Sequence, residues 1–572
     1  MIQNKTKKEF KVLLIYPNLS MLLTPPLSMA IFTSLLRNAG YCVDLFDTTP
    51  YIGEGTSSVD ENVSVGEEMN TMRKKHLEIA QNPQQLEPEI EFTFQAKTVQ
   101  ETMIETMQAR SFSYESDLKF QSKLGLYDDF KQKVDEFKPD LMLVSVVEDT
   151  FLQAVKLISL VYDKDISILV GGVFTTANPE LAISYPMIEM IGIGEGEQIV
   201  LDVAERIFNG RPCDDVPGVW IKKKSGKIIR NPRGPLFDFT KIIPDFSLFE
   251  DVRFYRPMGG KFFKSIPLES YRGCPYTCAY CNSPMQSTLA KDAGIGDFVR
   301  RSEIERVRDY IANVIEQVHP TFFMFIDDSF LARPSENIEA FCKMYEEFKI
   351  PFWFNTRPEN ITLDRLKMLK EINCYRMSFG LECGNEKFRE KHLLRKVSNK
   401  KLIQKFEILA NGDIPFSINN IIGFPDEDRK LIFETIELNR EIPYYDALTV
   451  SVFVPYHGTV LRKYAEKLGY IHPESIVCDL FHTTLDMPQL SAQEIDGLLR
   501  TFPLYVYFSK SFWPDIERAE INDEEGNRIF HRLSEKYHNE AFSHNQDEKM
   551  AQTKKVTGSI GCASNDLDSI RI

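Results

Sequence analysis

The stretch Tyr271-Arg272-Gly273-Cys274-Pro275-Tyr276-Thr277-Cys278-Ala279-Tyr280-Cys281 places three cysteines within eight residues, in the spacing CxxxCxxC. The other seven cysteines of the chain are scattered singly. In a reducing compartment, such a group indicates a metal site rather than a disulfide framework. Three thiolates in a tight loop can hold one face of a [4Fe-4S] cube, which normally takes four cysteines, so one iron keeps an open position. Because an open position is typical of a catalytic metal site, we predict that Cys274, Cys278 and Cys281 hold a catalytic cluster.

Three simpler interpretations of these cysteines are open at this point. A zinc site usually has four close ligands, and the nearest histidines, His319 and His392, lie far along the chain. An electron-transfer cluster needs a fourth cysteine nearby, and none lies within 60 residues on either side. The third interpretation is that the cysteines only fill a core.

Outward from the cysteines, the sequence alternates strand and helix patterns from Ser265 onward. Six such units predict a partial (βα)6 TIM-like barrel, with the cysteine loop after its first strand on the catalytic rim. The strand candidates are Leu268–Tyr271, Phe322–Ile326, Phe352–Phe354, Arg376–Gly380, Phe416–Ile422 and Ala447–Val454.

The N-terminal part of the chain has the same rhythm with shorter units, which predicts a doubly wound, Rossmann-like α/β domain. Ligands of such domains bind at the carboxyl ends of the strands, so the loops after Tyr16, Val147, Val170 and Ile193 are expected to share one edge. The predicted strands are Lys11–Tyr16, Cys42–Asp47, Asp140–Val147, Ser167–Val170 and Ile188–Ile193. The predicted helices are Leu27–Asn38, Leu152–Asp163 and one that opens in Gly194-Glu195-Gly196-Glu197 and runs to Asn209.

Composition then sets the domain boundaries and excludes some partners. The predicted units are 1–210 for the α/β domain with a helical insertion at about 51–135, 211–265 for a linker with a small hairpin, 266–465 for the barrel, 466–540 for a helical region and 541–572 for a disordered tail. The net charge of -15 disfavours nucleic acid as a partner. The apolar run Val12–Tyr16 ends at Pro17, too short for a signal peptide, and no run reaches the ~18 residues of a membrane span, so we expect a cytoplasmic protein with no transmembrane segment.

The cysteine motif, with the aromatic Tyr280 before its last cysteine, resembles the radical S-adenosylmethionine (SAM) superfamily. The resemblance implies that the open iron binds SAM, that an electron from a partner such as flavodoxin or ferredoxin cleaves it, and that the resulting 5'-deoxyadenosyl radical takes hydrogen from a substrate. It also implies a group near the methionine amine at Asp327, a ribose acceptor at Glu382 and an adenine segment from Asn420 to Gly423. The sequence departs from the family at Asn419, where glycine is often found, and an exposed loop acid is the alternative for Asp327. We interpret His457 as a turn residue. The implied SAM-binding residues are Tyr280, Asp327, Glu382, Asn420 and Gly423.

The N-terminal domain contains the segments Pro25-Pro26-Leu27-Ser28-Met29-Ala30, Ser145-Val146-Val147-Glu148, Val170-Gly171-Gly172 and Gly194-Glu195-Gly196-Glu197. With these segments it resembles the cobalamin-binding domain of one large branch of the same superfamily. Its glycines would let a bulky ligand approach the strand ends. The Asp-x-His-x-x-Gly segment of many cobalamin domains is absent, since His76 is the only histidine before residue 300, so cobalt is expected to lack a histidine ligand from this domain. The alternative is a nucleotide-type domain that has lost or changed its cofactor. The implied cobalamin-binding residues are Pro25, Leu27, Ser145, Val147, Glu148, Gly171, Gly172, Gly194 and Glu195.

Together the resemblances predict a cobalamin-dependent radical SAM enzyme that methylates an unactivated carbon of a small, apolar or lipid-like substrate. One alternative is oxidative cyclisation or ring rearrangement without methyl transfer, as in the anaerobic porphyrin ring cyclase. A second alternative is a non-catalytic iron–sulfur carrier or sensor. A methylthiotransferase is disfavoured, because that group has further cysteines near its N-terminus and only Cys42 precedes Cys213 here.

Overall fold

The computed structural model of the chain describes residues 5–18, 24–51, 123–258, 261–542 and 559–560. Most of the helical insertion predicted at 51–135 lies outside these ranges, as does most of the predicted tail. The described residues form two parallel sheets with helices packed around them, followed by a helical C-terminal region.

The N-terminal sheet has seven strands in the order β2-β1-β3-β4-β5-β6-β7. The first five are parallel, and β6 and β7 continue the sheet in antiparallel fashion. The strands are β1 Lys11–Tyr16, β2 Cys42–Asp47, β3 Leu141–Val146, β4 Ser167–Gly172, β5 Met190–Gly192, β6 Val219–Lys222 and β7 Ile228–Arg230. The helices are α1 Leu27–Asn38, α2 Leu126–Phe137, α3 Glu148–Ser159, α4 Val173–Ala177, α5 Pro179–Ser184 and α6 Gly196–Phe208.

Helices bury both faces of this sheet. Successive residues of a strand point to opposite faces, so each strand contributes side chains to two cores. In β1, Val12 and Leu14 pack in the core that contains α1 and α6, whereas Leu13 and Ile15 pack in the core that contains α2 and α3. Strands buried on both faces are continuous apolar runs, which is the pattern of β1. The domain is therefore doubly wound, as predicted.

The second sheet is an open barrel of six consecutive parallel strands, flanked by β8 on one edge and by the two-residue β17 on the other. The strands are β8 Tyr255–Met258, β9 Lys261–Leu268, β12 Phe322–Phe325, β13 Phe352–Thr356, β14 Cys374–Glu382, β15 Phe416–Ile422, β16 Ala447–Val452 and β17 Ser559–Ile560; β10 Tyr271–Arg272 and β11 Arg300–Arg301 form a separate pair.

Helices cover the outside of this barrel and form the C-terminal region. They are α7 Ser283–Asp292, α8 Ile304–Val318, α9 Ser335–Tyr345, α10 Leu363–Glu371, α11 Glu386–Lys391, α12 Asn399–Ala410, α13 Arg429–Glu441, α14 Val460–Leu468, α15 Ala492–Tyr507, α16 Trp513–Ala519 and α17 Glu524–Phe542. Short 3-10 helices are Lys7–Glu9, Phe239–Lys241, Asp251–Phe254, Pro358–Asn360 and Lys510–Phe512.

The structure differs from the sequence predictions at several boundaries. The hairpin predicted in the linker forms, but it extends the first sheet by pairing β6 with β5. The first barrel strand is Lys261–Leu268 rather than Leu268–Tyr271, because the amides of Ser270 and Tyr271 donate to the Asp327 side chain instead of to a neighbouring strand. Helix α3 begins four residues earlier than predicted, and β17 lies within the segment that we predicted to be disordered.

Within the described ranges, no helix combines the length and apolar character needed to cross a membrane.

Candidate active site

The three cysteines lie in the loop between β10 and α7, and all three are free and partly exposed thiols. Gly273 starts this loop with a φ of +88°, and a Cβ there would lie 3.0 Å from the ring and the carbonyl oxygen of Phe298, so the turn requires glycine. Burial raises the pKa of the Cys274 thiol to about 12 and also raises the pKa of Cys281. Burial therefore favours the protonated form of the Cys274 and Cys281 thiols.

This donor set fits an iron–sulfur cluster better than a single metal ion. Among the described residues, no group of three or more cysteine, histidine or acidic side chains is arranged around one ion. A cube separates its thiolates because each binds a different iron, whereas the ligands of a zinc ion converge on one point. The high thiol pKa values arise first from burial, and the positive charge of bound iron would oppose that effect and favour the thiolates.

Tyr280 and Glu382, two predicted SAM-binding residues, meet beside the cysteine loop. The Tyr280 hydroxyl donates to Oε1 of Glu382 at 3.2 Å, and Nη1 of Arg395 donates to the same oxygen at 3.2 Å. Glu382 ends β14 with a φ of +67°, a conformation that costs free energy and is often found at functional sites. A Cβ at Gly380 would lie 2.0 Å from this carboxylate oxygen, so glycine makes room for it. The sequence analysis missed Arg395, which lies 13 residues after Glu382 and is fully buried.

Asp327 is engaged by the cysteine loop and by Arg333, and its role near the methionine amine stays a prediction. Its carboxylate accepts from the backbone and hydroxyl of Ser270 at 2.8 and 2.6 Å, from the amide of Tyr271 at 3.1 Å, and from Arg333. These bonds occupy both oxygens and tie the cysteine loop to the barrel. The next residue, Asp328, faces the central cavity instead and accepts from the Ser283 hydroxyl.

Asn420 is also placed away from the site. Its amide exchanges hydrogen bonds of 2.8 and 3.1 Å with Asn439 of α13, outside the barrel, and donates to the Thr449 carbonyl at 3.2 Å. Asn419 points to the other face of β15, as strand alternation requires, and its Oδ1 accepts from the Thr449 hydroxyl at 2.8 Å. Gly423 lies in the turn after β15 with a φ of +83°, and its role at SAM stays a prediction.

One cavity of about 1960 Å³, counting its open mouth, joins the carboxyl edges of both sheets. Every predicted cobalamin-binding residue except Glu148 lines it. The barrel contributes an apolar wall, and the cysteine loop contributes Gly273 and Asn282, whose buried Oδ1 has no hydrogen-bond partner in the described structure. A Cβ at Gly171 would meet no atom within 4 Å, so the strand end opens directly into the cavity. The lining residues from the two sheet edges are Pro25, Leu27, Ser145, Val147, Gly171, Gly172, Gly194, Glu195, Pro267, Met324, Ile326, Asp328 and Trp353.

A buried ion network closes one side of this cavity between the two domains. Arg272 donates to Glu195 at 2.8 Å and to Glu197 at 2.7 Å in the first domain, and to Glu269 at 2.8 Å in the barrel. Burial alone would raise the pKa of Glu195, but Arg272 and Arg300 hold it below its ordinary value. Glu195 therefore lines the cavity with a carboxylate that is already paired with Arg272 and Arg300.

A second buried contact joins the domains through Glu148, which does not reach the cavity. Its carboxylate accepts from the amide of His457 at 2.8 Å, from Nδ1 of the same histidine at 2.7 Å and from the amide of Val477 at 3.1 Å. Glu148 is therefore placed at the domain contact, and its role at cobalamin stays a prediction. His457 is a buried domain contact as well as a turn residue.

The fold and the cysteine loop define a protein with a three-cysteine iron–sulfur site on a partial βα barrel. Residues 268–438, which hold the cysteine loop and most of the barrel, match the model of the Radical SAM superfamily, so this part of the chain is a radical SAM domain.

Three comparisons extend this assignment. The chain is 25% identical over 350 residues to an uncharacterized methyltransferase of Pyrococcus horikoshii, PH0819, a match that covers 59% of this chain and 72% of that protein. It is 25% identical over 331 residues to the anaerobic magnesium-protoporphyrin IX monomethyl ester cyclase of Rubrivivax gelatinosus, covering 55% of this chain and 56% of the cyclase. The structure of the radical SAM methyltransferase TsrM from Kitasatospora setae, with cobalamin and a [4Fe-4S] cluster bound, aligns with a TM-score of 0.52 at 14% identity, covering 88% of this chain and 82% of TsrM. The predicted fold and the radical SAM enzyme class are thereby confirmed.

Proposed function

We propose that this radical SAM enzyme also binds cobalamin and transfers a methyl group to an unactivated carbon of a small, apolar substrate. The observation that carries the proposal is the single cavity onto which the carboxyl edges of both sheets and the cysteine loop open. In doubly wound sheets and in βα barrels alike, ligands bind at these edges. A shared cavity would let chemistry at one cofactor reach the other without exposure to water.

The cysteines hold the cluster, which with SAM supplies a carbon-centred radical when both are bound. Around it, Tyr280 and Arg395 fix the Glu382 carboxylate, leaving its remaining oxygen for hydroxyl donors of the ligand. Asp328 and Asn282 face the cavity next to the cysteine loop. In place of Asp327, we propose Asp328 as the carboxylate that orients the SAM amine.

The first domain suits a large ligand without a histidine anchor. Its part of the cavity is mostly apolar, Gly171 opens into free space, and the described lining residues include no histidine. These residues would hold a corrin by shape and apolar contact, without a histidine among the described lining residues to bind cobalt. The names of the Pyrococcus and Kitasatospora proteins support methyl transfer as the reaction.

The barrel side of the cavity favours an apolar substrate. Trp353, Met324, Ile326 and Pro267 present carbon surface to it, and the Trp353 indole N–H is already satisfied by the Ser378 hydroxyl at 2.8 Å. A polar substrate would lose its hydration at this wall without compensation. We also place the enzyme in the cytoplasm, where reducing conditions keep such thiols available for iron.

The cluster assignment is tested by Cys278→Ala, with Cys42→Ala as a control on a partly exposed thiol outside the loop. After anaerobic reconstitution, the Cys278 variant is expected to lose the [4Fe-4S] spectrum and the formation of 5'-deoxyadenosine from SAM and dithionite. The control is expected to retain both. A complete cluster in the Cys278 variant would refute the ligand assignment and would leave a non-catalytic role open.

The cobalamin site is tested by Gly171→Val, which places a branched side chain at the mouth of β4. Ser167→Val, four residues earlier on the same strand and on the same face, is the matched control. We expect the Gly171 variant to lose retained cobalamin, measured by its visible absorption after gel filtration, while the control and the cluster content are unchanged. Equal cobalamin retention by both variants would exclude this edge as the site.

The likeness to the Rubrivivax cyclase favours a second candidate, ring formation without methyl transfer. Product mass after incubation with SAM labelled in its methyl group separates the two. Incorporation of one labelled carbon supports the methyltransferase, and an unlabelled product of changed hydrogen count supports the cyclase.

A further inference from the structure

An exposed patch with an apolar centre and a basic rim lies on the outside of the cysteine loop. Its centre is Leu394, 46% exposed, and Val460, 56% exposed. Three exposed lysines, Lys391, Lys396 and Lys463, lie within three residues of this centre along the chain. We call these five residues the lysine-rimmed patch. Exposed apolar side chains with a charged rim are typical of transient protein contacts.

The patch is joined to the cluster ligands by direct backbone contacts. The amide of Ala279, between Cys278 and Cys281, donates to the carbonyl of Leu393 at 3.1 Å. The amide of Leu461 donates to the carbonyl of Ala279 at 3.0 Å. Each of these partners is the immediate neighbour of an exposed apolar residue of the patch. A molecule bound there would be separated from the cysteine loop by one layer of backbone.

The two chain segments of the patch are also held to each other. The ring of His392 lies 6.0 Å from the ring of Tyr464, so the segments that carry Leu394 and Val460 form one continuous surface. The patch is therefore built on packed elements next to a rigid loop.

The charge of the patch is opposite to that of the whole chain, which is -15. Lys396 pairs with Glu390 at 3.2 Å. Within the described ranges, Lys391 and Lys463 have no carboxylate partner at ion-pair distance. On an acidic protein, a local basic rim favours an acidic partner and raises the rate at which it arrives.

The other side of the cysteine loop faces the cavity, through Gly273, Asn282 and Ser283. That side is occupied by the proposed ligands during turnover, so an electron donor of protein size needs a different approach. The lysine-rimmed patch is a described surface that lies next to the loop and opens to solvent.

We propose that the lysine-rimmed patch is the docking site of a small acidic one-electron carrier protein that reduces the cluster. In this step the carrier loses one electron, the cluster gains it, and no covalent bond is formed or broken. The inference rests on the radical SAM function proposed above, and it adds the surface through which the cluster receives its electron. A small contact of this kind fits the interfaces below about 1,200 Å² that redox partners use.

The test measures the reduction of reconstituted holoenzyme by reduced flavodoxin, an acidic probe, in stopped flow. The double variant Lys391→Glu with Lys463→Glu is compared with Lys224→Glu with Lys343→Glu, which reverses two exposed lysines outside the patch. We expect the patch variant to lower the second-order rate constant about tenfold or more at low salt, with the difference shrinking above ~0.5 M salt. We expect the affinity for flavodoxin, measured by calorimetry, to be lower for the patch variant than for the control variant.

Leu394→Ser provides a second, uncharged test, with an expected loss of flavodoxin affinity that does not depend on salt. Dithionite should still reduce every variant and give 5'-deoxyadenosine, which separates failure of the docking site from failure of the proposed function. Rate constants and affinities that are equal for the patch and control variants would overturn the docking proposal.

Discussion

Replacing His457 with phenylalanine tests whether the buried Glu148–His457 contact holds the two domains together. His457 is 4% exposed, and its ring packs edge-on against Phe174 with centroids 5.6 Å apart. Phenylalanine keeps this ring volume and packing but removes both ring nitrogens. The substitution therefore isolates the polar contacts from the hydrophobic ones.

The cost follows from the bonds that are lost. Nδ1 of His457 donates to the Glu148 carboxylate at 2.7 Å, and a buried hydrogen bond to a charged group contributes about 1.5–3 kcal/mol. Nε2 accepts from Nη2 of Arg462 at 3.2 Å, a contact that contributes about 1 kcal/mol more. Glu148 keeps two backbone donors, so its charge is not stranded. We expect His457→Phe to lower the free energy of unfolding by about 3 kcal/mol.

The assay is urea unfolding of the anaerobic protein, with His392→Phe as the matched control. The His392 ring is stacked on Phe388 at 4.4 Å, so the same substitution there should change stability by less than about 0.5 kcal/mol. A double-mutant cycle with Glu148→Gln should give a coupling of about 1–3 kcal/mol. Equal stabilities of the two histidine variants, or a coupling near zero, would show that the contact does not hold the domains.

Three further predictions concern buried carboxylates. Burial raises the pKa of Glu427 from its ordinary value of 4.5 to about 8. Between these two pH values the unfolded chain has lost this proton and the folded protein retains it, so the free energy of unfolding should fall with rising pH by about 1.4 kcal/mol per unit, relative to Glu427→Gln. Urea midpoints of the two proteins that run parallel from pH 5 to 8.5 would contradict this. Gly380→Ala places a Cβ 2.0 Å from the Glu382 carboxylate, so SAM affinity measured by equilibrium dialysis should fall about tenfold with the cluster retained, and unchanged affinity would remove Glu382 from the SAM site. Asp327→Asn breaks the buried pair with Arg333 and should cost about 3–5 kcal/mol in thermal or urea unfolding, whereas normal stability with weakened SAM binding would support the role that the sequence predicted.

The elements that were predictable are those in which one local signal dominates. β1 and β15 match their predicted bounds, because β1 is an apolar run that ends at Pro17 and β15 ends at the turn of Gly423. The cysteine loop was predictable since its spacing alone restricts the chemistry. Eight residues that the resemblance to cobalamin-binding domains implied line the cavity, at the edge that the ends of parallel strands share.

The residues that were not predictable depend on neighbours distant in sequence. Asp327 and Asp328 are adjacent acids at one strand end. Only the position of Ser270 decides which of the two carboxylates accepts hydrogen bonds from the cysteine loop. Arg395 comes after the strand that carries Glu382, and no periodicity marks it as that carboxylate's partner. Contacts between adjacent strand-end residues and distant loops require the three-dimensional register, which a single sequence does not fix.

The two ion networks explain how a cavity made by two domains can keep a fixed shape. Replacing a buried ion pair by apolar residues often stabilises a protein, so stability alone does not account for Arg272 and its three carboxylates. These bonds fix direction, because the guanidinium donates hydrogen bonds in its own plane. Arg272 donates to two carboxylates of the first domain and to one of the barrel. With Glu148 and His457 as a second junction, the carboxyl edges of the two sheets are held at two separate points around the cavity. Because a displacement of about 1 Å between reacting groups can cost a hundredfold in rate, such directional junctions suit a site whose cofactors would reside in different domains.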